Sequence, residues 1–293
     1  MRGKTVVITG ATSGNGEVAA LALAKMGARI IAVGRSKARR DATLARLRSS
    51  APGAAHALHL ADLSRLSEMK RVAAQIADQE ARIDVLINNA GYGIVGAVEE
   101  TPDSALRALM ETNFFGAVAV IRAALPTLRA QRSGAIVNIS SLGGQLSFAG
   151  FGAYSASKFA LEGISEALAQ EVAPFGVKVL LVEPGNFRTN LLGSGTQEMP
   201  ATDAYRESVG GTREFARGMH GAQVGDPLKA ARAIDLALEA EKTPLRLQLG
   251  EDAVAAVRAH AQTMLEDLNH WQAVAVDTRL DGATDTAKSL TAS

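Results

Sequence analysis

The chain has no cysteine. Disulfides, thiolate metal sites and cysteine nucleophiles are therefore excluded, and the absence fits a cytoplasmic protein. Excess charge of either sign is missing too: the net charge is +1, with no long basic or acidic block. That argues against a nucleic-acid partner and against a polybasic membrane patch. No apolar run reaches the roughly 20 residues that span a bilayer, so no membrane partner is expected. The N-terminus, MRGKTVVITG, lacks the charged-then-apolar layout of a signal peptide. The five histidines are scattered. His56 and His59 fall on opposite faces of a strand-like run, and no HExxH spacing occurs, so no metal site is expected.

What is present is alternation. Short β-branched runs at 5–9, 29–33, 55–60, 84–88, 135–140 and 177–183 read as strands. Several are almost wholly apolar, as strands buried on both faces are. Helical patterns lie between them, near 15–27, 36–49, 64–80, 102–130 and 152–173. This order predicts an α/β fold: a doubly wound, Rossmann-type parallel sheet in one domain spanning 1–293. After Pro184 the pattern lapses. Residues 186–225 are rich in glycine and threonine, without helical or strand period, and read as a mobile substrate lid or, alternatively, as a surface loop anchored by scattered hydrophobes. Phe187, Leu191, Leu192, Met199, Tyr205, Phe215 and Met219 are spread through it, which suggests an apolar substrate. Regularity returns in C-terminal helices within about 226–276. Asp226 is the expected N-cap, Pro227 takes the first helical position, a short strand lies at 245–249, and a last helix covers 251–270. The polar tail 277–293 is expected to fray.

Three local patterns carry chemistry. Gly10, Gly14 and Gly16 sit between the first strand and the first helix. Glycines there permit a tight turn and a close approach of backbone to phosphate, with the helix N-terminus facing the anion. The spacing is GxxxGxG rather than GxGxxG, and the bland alternative is an ordinary strand–helix turn. The second strand ends at Gly34 and Arg35, followed by Lys37, Arg39 and Arg40. An arginine where other dinucleotide folds place an acid suits a 2′-phosphate, hence NADP; otherwise these cations coat an exposed helix. Lastly, Tyr154 and Lys158 are four apart in a helical run, so they share one face. A cation near a phenol favours the phenolate, and a phenol so tuned can exchange a proton at working pH.

TGATSGNG (9–16), NNAG (88–91), Asn113, NISS (138–141), YSASK (154–158) and EPG (183–185) occur in that order. Together they resemble the classical short-chain dehydrogenase/reductase family over about the first two-thirds of the chain. The resemblance implies hydride transfer between a nicotinamide cofactor, NADP(H) with NAD(H) possible, and a small-molecule ketone or secondary alcohol. It implies that Ser141, thirteen residues before the tyrosine, holds the substrate oxygen, and that Tyr154 is the general acid or base. Lys158 would lower the tyrosine pKa and bond the nicotinamide ribose. Asn113 would hold a water linking Lys158 to solvent; it could equally be a polar residue that kinks a long helix. Cofactor contacts are implied for Gly10, Ser13, Gly14, Asn15 and Gly16 in the loop, and for Arg35. Asp62 and Leu63 fall at the adenine, with Asn89, Ala90 and Gly91 along the adenosine wall. Pro184, Gly185 and Thr189 would clamp the carboxamide. Asn15 replaces the apolar residue usual between the last two glycines. A homodimer or homotetramer is expected through helices 102–130 and 152–173. Two alternatives stand beside this reading: an NAD-dependent alcohol dehydrogenase of the same fold, and a non-catalytic dinucleotide sensor, which would not need to keep Ser141, Tyr154, Lys158 and Asn113 together.

Overall fold

The computed structural model describes residues 1–278 and Leu280, with side chains for all but Asn15. Most of the expected polar tail, and the side chain that departs from the family's loop pattern, therefore lie outside the described residues.

The first half runs β1 (Thr5–Thr9), α1 (Gly14–Lys25), β2 (Arg29–Gly34), α2 (Lys37–Ser50), β3 (Ala57–Leu60), α3 (Leu66–Gln79), β4 (Val85–Asn88), β5 (Gly93–Val95), α4 (Asp103–Met110) and α5 (Gly116–Gln131). It continues with β6 (Gly134–Ile139), α6 (Gly152–Val172), β7 (Val177–Pro184), β8 (Thr196–Glu198), α7 (Arg206–Gly218), α8 (Pro227–Glu239), β9 (Arg246–Leu249) and α9 (Glu251–Val276). Seven strands form one sheet in the order β3-β2-β1-β4-β6-β7-β9, and every pairing is parallel. Chain order reverses between β1 and β4, so a crevice opens at their C-terminal ends, where ligands bind in such sheets.

The alternation of strand side chains supplies two cores. Val7, Ile31 and Leu86 face α3, α5 and α6, meeting Val72, Ile121, Leu128 and Leu168. Val6, Ile8, Ile30 and Val85 point the other way and pack on Leu23 of α1 and Ile234 of α8. Asp226 caps α8 by accepting from Leu228 N at 2.8 Å, with Pro227 at the first helical position.

Four expectations need correction. The helix expected over 102–130 is interrupted: a π turn, Glu111–Phe115, separates α4 from α5. This composite helix is also long and apolar enough to cross a membrane, with mean hydropathy 1.4 over its best 18-residue window, contrary to the reading of the sequence. More than half of that window is packed inside the protein, as a core helix is. The segment 186–225 is not without regular structure. β8 pairs in parallel with β5, and α7 follows it. Finally, α9 extends to Val276 rather than stopping near 270, and its outer half is exposed.

Candidate active site

The crevice is a cavity of about 1410 Å³ running from the glycine loop, across the C-terminal ends of the central strands, to the segment after β7. At one end, Gly10 and Gly14 adopt φ values of +69° and +55°, a region that disfavours side chains. A Cβ on Gly14 would stand in open space, so its backbone is bare to the cavity. Gly16 serves packing instead: a Cβ there would collide with the Gly10 carbonyl and the Asn89 side chain. The Asn89 amide donates to Thr9 O at 3.0 Å, tying β4 to the loop. Ser13 is the N-cap of α1 in extended backbone and makes no side-chain cap. The first N–H groups of α1 thus remain for a ligand. This backbone fits a dinucleotide phosphate.

Beside the loop, Arg35 and Arg39 line the cavity with Ser36. Gly34 must be glycine, because a Cβ would strike the Thr12 side chain. Glu17 also lines this end, but it is engaged by Thr43 at 2.9 Å and by Arg46. Leu63 and Ser64 reach the cavity, whereas Asp62 does not line it. Asp62 turns to Ser64 instead, accepting from its hydroxyl at 2.7 Å and its N–H at 3.1 Å. That hydroxyl, ahead of other causes, holds its carboxyl below the usual range.

At the centre, Ser141, Tyr154 and Lys158 line one wall. Ser141 follows β6 and opens a 3₁₀ turn, Leu142–Gly144; its Oγ accepts from Gly143 N at 3.1 Å. Tyr154 is in the first turn of α6, with its ring edge-on to Phe151 at 6.5 Å. Lys158 is buried one turn later and donates from Nζ to Ile139 O at 2.8 Å. Burial lowers its pKa to about 8, against the pull of the Glu162 carboxylate. The phenol behaves differently from the sequence expectation. Burial raises the Tyr154 pKa, and the Ser141 hydroxyl, not the lysine, opposes that rise. In the protein alone, desolvation of the phenol outweighs the nearby cation.

Asn113 is fully buried in the π turn and does not line the cavity. Its Oδ1 accepts from Tyr92 N at 3.1 Å, while Nδ2 donates to Tyr92 O at 3.0 Å and Ser157 Oγ at 2.9 Å. It joins the bulged helix to α6 directly behind Lys158. A Cβ on Gly91 would meet Asn113 Oδ1 at 3.1 Å and Lys158 Nζ at 3.7 Å, so Gly91 keeps the two groups close. Ala90 lines the cavity beside it.

Beyond β7, Pro184, Gly185 and Thr189 line the same cavity. Asp252, at the start of α9, accepts from Asn186 N at 2.7 Å and Asn186 Nδ2 at 2.8 Å, and no room is left for a Cβ on Gly185. This clamp was not legible in sequence, because its two halves lie 66 residues apart. The far end of the cavity is apolar, with Phe148, Phe151, Leu191, Leu192 and Phe215. Phe148 and Phe151 precede α6 and carry no motif that marks them. Among the described residues, no cluster of His, Cys, Asp or Glu could hold a metal ion.

Comparison with known proteins agrees with this geometry. The short chain dehydrogenase family profile matches residues 4–200. A 3-ketodihydrosphingosine reductase of Bacteroides thetaiotaomicron is 35% identical over 257 residues, covering 85% of this chain and 89% of the relative. A solved short-chain dehydrogenase from Streptomyces avermitilis is 46% identical with a TM-score of 0.85, covering 94% of this chain and 100% of that one. Another, from Sphingobium yanoikuyae in complex with NADPH, is 27% identical with a TM-score of 0.74, covering 97% and 100%.

Proposed function

The chain belongs to the short-chain dehydrogenase/reductase family, an oxidoreductase family, and from that premise we propose that it is an NADP-preferring reductase of apolar ketones, reversible to the secondary alcohols. The observation that carries the reading is the meeting of Ser141, Tyr154 and Lys158 on one wall of a cavity whose other end is the bare glycine loop. Gly10, Ser13, Gly14, Arg35, Leu63, Ala90, Gly91, Pro184, Gly185 and Thr189 line that cavity and are proposed to hold the dinucleotide. Asn89 lines it as well and is proposed to contact the dinucleotide, while Gly16 shapes the loop from behind. Preference for NADP is supported by Arg35 and Arg39 beside the end of β2, and by the neutralisation of Glu17, the acid lining that end among the described residues. An apolar substrate is supported by Phe148, Leu191, Leu192 and Phe215, and by the name of the 3-ketodihydrosphingosine reductase relative.

A bound nicotinamide supplies or accepts the hydride at the carbonyl or carbinol carbon. Ser141 Oγ donates a hydrogen bond to the carbonyl oxygen, which gains negative charge as its carbon is reduced. Tyr154 Oη donates beside it and delivers the proton that completes the alcohol. The phenolate left behind is stabilised by the Lys158 ammonium one helical turn away. Burial holds Tyr154 protonated beforehand, the form that reduction requires. Asn113 keeps α6 and the bulged helix in register, so that Lys158 stays behind the phenol.

Cytoplasmic residence and self-association as a homodimer or homotetramer belong to the same proposal. Phe115 and Phe159, both exposed on the helices expected at an interface, support self-association. Light scattering that returns a monomer mass at micromolar concentration would reject it. The activity is tested by a panel of ketones and alcohols of increasing chain length with each nicotinamide cofactor, following nicotinamide absorbance. Turnover that grows with apolar length and favours NADPH supports the proposal. No turnover with any member, despite measurable cofactor binding, would favour a sensor.

A further inference from the structure

Below the proposed catalytic groups lies a buried acidic cluster that the reaction scheme does not use. Tyr154, Lys158, Glu162 and Glu166 follow one another at intervals of four along α6 and so form a ladder on one face. Glu162 is buried at the third rung, and Glu183 of β7 is completely buried opposite it. Gln145 bridges the two acids: its Nε2 donates to Glu162 Oε2 at 3.1 Å and to Glu183 Oε1 at 3.2 Å. Gln145 directly follows the 3₁₀ turn that starts at Ser141. Glu162 Oε1 faces the same turn. A Cβ on Gly144 would stand 3.2 Å from it and 2.5 Å from Ser140 Oγ.

The charges around this cluster come from three elements. Lys158 and Glu166 lie on α6, and Glu183 on β7. Arg246 comes from β9, with its Nε 3.0 Å from Glu162 and 3.7 Å from Glu183. Its Nη2 is 2.6 Å from Glu166. The turn after β6 contributes only the neutral Ser140 and Gln145. Gln248 of β9 also donates to Glu183, at 2.8 Å. One arginine thus serves three carboxylates, and Lys158, one turn earlier on the same face of α6, is the other cation beside Glu162 among the described residues.

We propose that Glu162 is a positioning residue for Lys158: its carboxylate, one helical turn on, keeps the buried lysine protonated, and through Gln145 the same carboxylate fixes the turn that carries Ser141. The inference rests on the oxidoreductase reading for its purpose. Burial drives Lys158 towards the neutral amine, and the Glu162 charge is the contribution that opposes it. Burial also raises the pKa of both acids, and each is held in place by the amide of Gln145. A neutral Glu162 would leave Lys158 with less to hold its proton.

The test reads the protonation of Lys158 without turnover. Lys158 lines the cavity, so acetic anhydride can reach it, and only the neutral amine reacts. Its acetylation is followed across pH by peptide mass spectrometry in the wild-type chain and in Glu162→Gln and Glu162→Asp. Glu162→Gln keeps the shape and removes the charge, so the midpoint should fall by about one pH unit, the usual scale for loss of a close opposite charge. Glu162→Asp keeps the charge on a shorter arm, and its midpoint should fall less. A midpoint unchanged in Glu162→Gln, or one that falls further in the Asp variant, would overturn the proposal. If Glu162→Gln does not fold, Glu162→Asp carries the test, and a midpoint there no lower than in the wild-type chain overturns the proposal. Failure of the oxidoreductase reading is separate: it would appear as absent turnover with the Lys158 shift intact.

Discussion

Lys158 Nζ stands 5.8 Å from the centre of the Tyr154 ring and gives its hydrogen bond to the Ile139 carbonyl. The ammonium is held against the wall, while the phenol keeps its proton. Tyr154→Phe keeps the ring and its edge contact with Phe151 but removes the proton and one donor. Turnover in ketone reduction should fall about 10²–10⁴-fold, with the dissociation constant for NADPH nearly unchanged. Steady-state kinetics and fluorescence titration measure the two. Near-normal turnover would remove Tyr154 from its assigned role.

Two buried groups shape stability against pH, in opposite senses. Burial raises the Glu183 carboxyl from 4.5 to about 7, so the folded chain holds a proton there that the unfolded chain has released. Its contribution is complete below about 4.5 and is lost as pH rises through about 7. Lys158 is lowered from 10.5 to about 8, so between those values the unfolded chain binds the extra proton, and stability rises with pH. Together they predict a shallow minimum in thermal stability between about pH 7 and 8. Calorimetry across pH should show Glu183→Gln flattening the acid side and Lys158→Met flattening the alkaline side. Parallel curves for all three chains would contradict the assignment.

The cofactor preference turns on Arg35. It is exposed at the cavity edge after Gly34, and Glu17, the acid lining that end among the described residues, is engaged by Arg46. Arg35→Asp should weaken NADPH far more than NADH, because a carboxylate repels a 2′-phosphate. Loss of one charge-assisted hydrogen bond is worth about 1.5–3 kcal/mol, or roughly ten- to a hundredfold in dissociation constant. Equal losses for both cofactors would show that Arg35 does not read the 2′ position.

The six strands of the first two-thirds were legible because most of them are almost wholly apolar and all are separated by helices of ordinary period. In the wall proposed to be catalytic, Tyr154 and Lys158 were legible from their spacing on one helix, and Ser141 only through the family resemblance. Other features depend on distant partners. α7 carries Gly210, Gly211 and Gly218, which weaken any helical signal, and its buried face is Val209, Arg213 and Ala216. An arginine in the middle of that face breaks an apolar pattern, and it becomes intelligible only beside Glu100, 113 residues earlier. β5 and β8 have three residues each, too few to show a period. The phenol pKa was misjudged because the charge next to it is visible in sequence and the depth of its burial is not.

The segment 186–225 is the last feature open to direct test, and the fold divides it. Its middle is latched. Arg213 is buried, with Nη2 2.6 Å from Glu100 Oε2 and Nη1 2.6 Å from Met199 O. Glu100 also accepts from Ala97 N at 2.8 Å and Thr202 N at 2.6 Å. Those amides, more than the arginine, lower its pKa to about 2. The latch therefore stays charged at neutral pH, and its contribution is lost only as pH falls from the usual carboxylate range through about 2. The stretch from Asn186 to Gly195 carries the cavity-lining Leu191 and Leu192; it is tied at its start by Asn186 to Asp252 and by Arg188 Nε to Gln223 O at 2.9 Å, but among the described residues no buried ion pair holds it, and Arg188 is exposed. A lid that orders over its substrate would thus move at that stretch while α7 stays docked. Trypsin separates the two parts, since Arg188 lies in one and Arg206 and Arg217 in the other. In the wild-type chain, cleavage should begin at Arg188 and slow when NADPH and a long apolar ketone are both present. In Arg213→Met, which leaves Glu100 without its cation, Arg206 and Arg217 should become sites as fast as Arg188. Cleavage that starts at Arg206 in the wild type, or that ignores both ligands, would show that the segment is no lid and would take away its support for an apolar substrate.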